Sequence, residues 1–203
     1  MKKIVGFIVV ALVLSTTAMF AQTTFGVRAG VNFQNMNGKS GGDKMENALK
    51  TGINIGVNAE MGVAPDFYFQ PGLLFSTKGA NDLMEMDDFS INISYLELPL
   101  NLVYKPTLGT GKLIAGFGPY LGYAIGGKWK YDDESEDIEF GSSEEDDLKP
   151  LDLGANLLFG YEFSNKISVQ LNAQLGLVNL VPEGDSDNSI KNTGFGFSVG
   201  YRF

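Results

Sequence analysis

The chain has 203 residues, 44% of them hydrophobic and 19% charged, with 26 glycines, 7 prolines, no cysteine and no histidine. That is the length of one domain, and glycine this abundant but unperiodic argues against a helical bundle and against collagen. Fifteen basic and 24 acidic residues give a net charge of −9, which speaks against a nucleic-acid surface. Without His or Cys there is no imidazole catalysis, thiol nucleophile or disulfide, and most zinc sites are excluded.

Lys2 and Lys3 precede the apolar run Ile4 to Leu14, and small and polar residues lead from there to Ala21 and Gln22. A charged start, a short apolar core and a small residue at the cut are expected of a secretory signal peptide over residues 1–21, leaving a barrel domain over 22–203. The apolar run is too short for a spanning helix, which needs about 20 residues. A lipoprotein signal is excluded because it requires a cysteine at the cut. Cleavage after Ala21 removes two lysines and leaves the mature chain at −11.

From there on, hydrophobicity alternates with period two, as in a strand whose two faces meet different surroundings. Phe25, Val27, Ala29, Val31 and Phe33 oppose Gly26, Arg28, Gly30 and Asn32. Ile53 to Met61 follows with Asn54, Gly56, Asn58 and Glu60 on its polar face, then Phe67 to Phe75 with Tyr68, Gln70 and Gly72. Leu96 to Leu102 opposes Tyr95, Glu97, Pro99 and Asn101, and Leu113 to Ile125 opposes Gly116, Gly118, Tyr120 and Gly122. Leu151 to Tyr161 carries Asp152, Asn156 and Glu162 opposite, Ile167 to Leu175 carries glutamines and Asn172, and Phe195 to Phe203 carries glycines and Arg202. That makes eight strands, most with the about 9–11 residues that cross a bilayer at a tilt. Pro71 and Pro119 each remove a ladder donor, so both are expected at bulges.

The connections sort by parity. Asn37–Lys50, Lys78–Phe89, Gly127–Leu148 and Val181–Lys191 are long, while Ala64–Asp66, Pro106–Gly111 and Ser164–Asn165 are short. An even-stranded barrel with both termini on the short-turn side has this arrangement. A soluble barrel would turn its apolar face inward and a charged one outward. Here the polar face is Gly, Asn, Gln and Ser with almost no lysine, which suits a narrow lumen better than a soluble surface. The expected fold is therefore all-β: an eight-stranded antiparallel up-and-down transmembrane β-barrel, with lipid against its apolar face and every backbone group paired. Tyr68, Tyr104, Tyr123, Tyr161 and Trp129, near strand ends, are expected in interfacial girdles. The terminal aromatic Phe203 is expected to be read by the machinery that inserts such barrels into the outer membrane.

Phe25-Gly26-Val27-Arg28-Ala29-Gly30-Val31-Asn32-Phe33, Tyr95-Leu96-Glu97-Leu98-Pro99-Leu100 and the closing Gly200-Tyr201-Arg202-Phe203 resemble the PorT-like outer-membrane β-barrel domain family. The resemblance spans essentially the mature chain and concerns structure, so it brings no catalytic residue. It implies an outer-membrane location, and some members are linked to protein secretion and gliding.

Six inward charges, Arg28, Glu60, Glu97, Asp152, Glu162 and Arg202, are expected to form a polar network that plugs the lumen, with Glu97 paired to an arginine. The long loop from Asp132 to Asp147 holds ten carboxylates in sixteen positions, whose mutual repulsion predicts an extended, solvated segment. Its oxygens, Asp132, Asp133, Glu134, Asp146 and Asp147 among them, are weak candidates for Ca²⁺ or Mg²⁺. Asp185-Ser186-Asp187-Asn188 resembles the start of a calcium loop, but Ile190 and Gly196 stand where its glycine and glutamate belong. Gly109-Thr110-Gly111-Lys112 reads as a turn, because Leu113 stands where a phosphate loop needs Ser or Thr.

The expected function is structural or adhesive and non-enzymatic, without a cofactor, with the loops as working surface. Competing readings are a secretion or motility component, a narrow channel, and a hydrolase or acyltransferase confined to carboxylate or Ser/Lys chemistry.

Overall fold

The computed structural model describes residues 23–82, 89–132 and 134–203, so the expected signal peptide lies outside the described residues. The strands are β1 (Thr24–Ser40), β2 (Asp43–Lys44), β3 (Lys50–Ala64), β4 (Phe67–Ala80), β5 (Phe89–Tyr104), β6 (Thr107–Leu108), β7 (Gly111–Tyr131), β8 (Glu134–Asp137), β9 (Leu151–Glu162), β10 (Ile167–Gly176) and β11 (Ser189–Arg202). Eight are long and follow one another antiparallel in the order β1-β3-β4-β5-β7-β9-β10-β11, and β11 returns to β1 to close the barrel. The closing ladder is long, running from Gly26–Arg202 to Lys39–Ser189. At the chain end the Phe203 N–H donates to the Phe25 carbonyl at 2.8 Å. The short β2, β6 and β8 are hairpin extensions beyond the wall.

Alternation sets the two faces of every long strand, and the outward face is the apolar one. Phe25, Ile55, Leu98, Phe117, Leu157, Leu171 and Val199 are exposed, while Asn32, Glu97, Asp152, Asn156 and Ser198 are buried. This continuous apolar wall has the character of the lipid-facing band of an outer-membrane barrel. A closed barrel pairs the backbone of every spanning strand, and that is what makes the arrangement tolerable in hydrocarbon. Leu157, half-way along β9 and 63% exposed, gives a direct check. Leu157→Arg is expected to destabilise the barrel by about 2 kcal/mol in lipid, the low end because a long side chain snorkels. Urea titration in lipid vesicles measures this, and an unchanged midpoint would contradict lipid contact there.

Neither proline makes a bulge. The β3–β4 register keeps one offset across Pro71, from Asn58–Gly72 to Met61–Phe69, and β5–β7 does so across Pro119, from Pro99–Tyr120 to Leu102–Phe117. A missing N–H in a long, doubly flanked ladder is absorbed without a register change. The bulges lie instead at Gly62/Ala64 and at Ser94/Tyr95.

At the long-loop end the barrel is covered by an apolar cap. Met36, Ile91, Ile93, Ala124 and Ile190 of the wall pack with Met45, Ile138, Leu148 and Leu180 from three loops, and Phe89, Trp129, Phe140 and Val181 pack around them. Trp129, stacked on Phe89 at 5.6 Å, therefore belongs to the cap and not to an interfacial girdle. At the opposite end an aromatic rim does form, with Phe67 against Tyr104, Tyr161 against Phe163 and Tyr201 against Phe203.

Candidate functional site

The lumen is organised in layers. Nearest the cap, Lys78 of β4 places its Nζ 2.7 Å from Glu97 Oε1 of β5 and 3.1 Å from Asp152 Oδ2 of β9, all three side chains being at most 1% exposed. Around them the Tyr120 hydroxyl of β7 donates to Asp152 Oδ2 at 3.1 Å, and Asn192 Nδ2 of β11 donates to the same oxygen at 2.9 Å and to the Tyr95 hydroxyl at 3.2 Å. Gln174 Nε2 of β10 donates to Glu97 Oε2 at 3.0 Å. The Lys78 ammonium lies 4.3 Å from the centre of the Tyr120 ring. This one layer ties together six of the eight wall strands. Glycine makes room for it: a Cβ on Gly154 would stand 2.5 Å from a Tyr120 ring carbon.

A second layer sits near the short-turn end. Lys105, just past β5, lies 3.0 Å from Glu60 Oε1 and 2.7 Å from Glu162 Oε2. Arg202 joins from β11 with Nη2 3.2 Å from Glu60 Oε2 and Nη1 donating to Asn58 Oδ1 at 2.6 Å. Gln70 Nε2 donates to Glu60 Oε2 at 3.0 Å. Tyr68, expected in a girdle, lies beneath this layer instead, 5.5 Å from the Lys105 ammonium to its ring centre. Between the layers the lumen is lined by amides and hydroxyls, with Asn54 Nδ2 donating to Asn32 Oδ1, Asn32 to Ser76 Oγ at 3.1 Å and Asn172 to Ser198 Oγ at 3.2 Å. Val103, Ile114 and Leu158 form a small apolar patch.

Of the inward charges expected from alternation, Glu60, Glu97, Asp152, Glu162 and Arg202 therefore meet in these two layers. Arg28 does not: among the described residues no carboxylate reaches it at ion-pair distance. The cation beside Glu97 is Lys78, not an arginine. Sequence reasoning missed both central lysines because it ended each run at its last apolar residue. The inward parity of β4 runs on through Ser76 to Lys78, and that of β5 through Val103 to Lys105. Following the polar face instead of the apolar one would have found them.

The acidic loop is folded back, not extended. β8 pairs with the end of β7 from Lys128–Asp137 to Tyr131–Glu134, and Phe140 bridges Leu148. Apolar Ile138, Phe140 and Leu148, interspersed among the acids, pull the segment onto the cap. Asp132 occupies the turn at φ 56°, Glu134 is in β8, and Asp133 lies outside the described residues. Asp146 Oδ2 accepts from the Ser143 N–H at 2.7 Å and Asp147 Oδ2 from the Glu139 N–H at 2.9 Å. These oxygens serve the loop itself, and among the described residues no three carboxylates converge on a metal position. Asp185 behaves likewise, its Oδ1 accepting from the Asp187 and Asn188 N–H groups at 2.9 Å each. Those bonds hold its carboxyl below the usual carboxylate range.

Residues 20–181 match a family model described as an outer membrane protein beta-barrel domain. No curated protein matches the chain. Among solved structures, it is similar to Ail, the attachment invasion locus protein of Yersinia pestis, in complex with the heparin analogue sucrose octasulfate, at 14% identity and a TM-score of 0.48 over 89% of this chain and 99% of that one. Neisserial surface protein A gives 10% identity and 0.49 over 88% and 97%. A major outer membrane protein from Thermus thermophilus gives 16% and 0.46 over 89% and 99%.

Proposed function

Because this chain belongs to the outer membrane protein β-barrel domain family and resides in the outer membrane, we propose that it works as a closed, non-enzymatic anchor whose long loops form its working surface. The observation that carries this reading is the content of the lumen. Two ionic layers cross it, the cap lies over its long-loop end, and the two cavities that Arg28 lines inside the lumen measure only about 20 and about 10 Å³. An eight-stranded wall leaves room for little more than side chains. The buried carboxylates are each engaged by lysine, arginine, amide or hydroxyl groups, an arrangement suited to holding strands together and not to general acid–base work. Its partners in this reading are outer-membrane lipid along the apolar wall and the insertion machinery at the Phe203 strand. Divalent cations bind the acidic loop only diffusely, as counterions.

Planar-bilayer recording tests the closed lumen: a flat trace is expected, and discrete conductance steps from the purified barrel would make it a narrow channel. The PorT-like motifs support a second reading, a component of a secretion or motility complex. Cross-linking in intact outer membranes separates the two, since a stoichiometric envelope partner, together with an export or gliding defect on deletion, would favour the complex.

A further inference from the structure

Arg28 is the charge that the two layers leave over. In the lower layer Lys105 and Arg202 balance Glu60 and Glu162, whereas in the upper layer Lys78 alone faces Glu97 and Asp152. Arg28 would restore neutrality, yet its Nε is shielded from solvent without a hydrogen-bond partner. It lines two small cavities of the lumen, the larger also lined by Gln34, Asn54, Glu97, Asn172 and Gln174. Three of those side chains, Gln34, Asn54 and Asn172, carry a buried amide oxygen that also has no partner. The orphan acceptors and the orphan cationic donor thus belong to side chains that line one space of about 20 Å³. A water needs about 10–15 Å³ and two to four polar partners. An added anion would leave the region with one negative charge too many, whereas water satisfies both donor and acceptors and keeps it neutral.

We propose that this cavity is a built hydration site: one or two ordered waters carry the ion pair between Arg28 and Glu97 and satisfy the amide oxygens of Gln34, Asn54 and Asn172. The upper ionic layer is thereby completed through solvent, and Arg28 is a positioning residue that holds β1 to it.

The test uses the ¹⁵N-labelled barrel in lipid nanodiscs, with the Arg28 Nε–H resonance assigned by its loss in Arg28→Lys. A water cross-peak of dipolar sign, marking water that tumbles with the protein, is expected at that proton. It is expected to disappear in Asn172→Leu, which fills the cavity without altering charge, and to be unmoved when chloride is replaced by bromide. A dry Nε–H in the unsubstituted protein overturns the proposal, and a shift with bromide overturns it in favour of a bound halide. Conductance of the same preparation keeps the two readings apart. A flat trace with a dry Nε–H removes the hydration site alone, and a conducting barrel with freely exchanging water removes the closed lumen too.

Discussion

Replacing Lys78 by methionine is expected to cost about 3–5 kcal/mol of barrel stability, because it leaves two carboxylates buried side by side without a cation. Glu97 and Asp152 are at most 1% exposed in their side chains and lie 2.7 and 3.1 Å from the ammonium that would be removed. Tyr120, Asn192 and Gln174 would still donate to them, but neutral donors do not cancel charge. The measurement is the temperature at which the folded, fast-migrating form is lost on gels, with urea midpoints as a second readout. Lys78→Met combined with Asp152→Asn is expected to recover most of the loss, since the remaining carboxylate, Glu97, then has Arg28 lining the same cavity to balance it. Lys128 and Asp137 serve as a control at 3.4 Å, with side chains 62% and 83% exposed. Breaking that pair is expected to cost at most about 0.5 kcal/mol, as for solvated surface pairs. Equal effects at Lys78 and Lys128 would mean that the lumen is as wet as the surface.

The same contrast explains what could be read from residues alone. Period two yielded eight strands, their faces and the parity of the loops, because the bilayer imposes one rule on every strand and leaves little room for local exceptions. It placed Glu97 and Asp152 inward but could not state their partners, which come from strands distant in sequence. Strand ends were the weakest point. The apolar face stops where lipid stops, whereas the wall of β4 continues past Phe75, and the inward series there ends in the most deeply placed cation of the barrel. Charge repulsion alone suggested an extended acidic loop. It is outweighed locally by three apolar side chains that find the cap, a long-range contact with no period to announce it. Pro71 and Pro119 show the converse: a local rule predicted bulges, and continuous pairing on both sides held the register.

At the other end of the lumen, Lys105→Met is expected to cost about 3 kcal/mol, the low end for a broken buried pair. The smaller figure follows from what remains. Glu60 keeps Arg202 at 3.2 Å and the Gln70 amide at 3.0 Å, whereas Glu162, 14% exposed in its side chain, loses the cation at 2.7 Å but reaches water at the rim. Neutralising the stranded group should then restore most of the stability: Lys105→Met with Glu162→Gln leaves one cation, Arg202, against one carboxylate, Glu60. Lys105→Met with Glu60→Gln should restore less, because Arg202 and Glu162 remain without a direct contact between them. Urea midpoints of the two double variants decide the matter. Equal recovery would show that only net charge counts in this layer, and unequal recovery in the stated order that the pairing geometry counts as well.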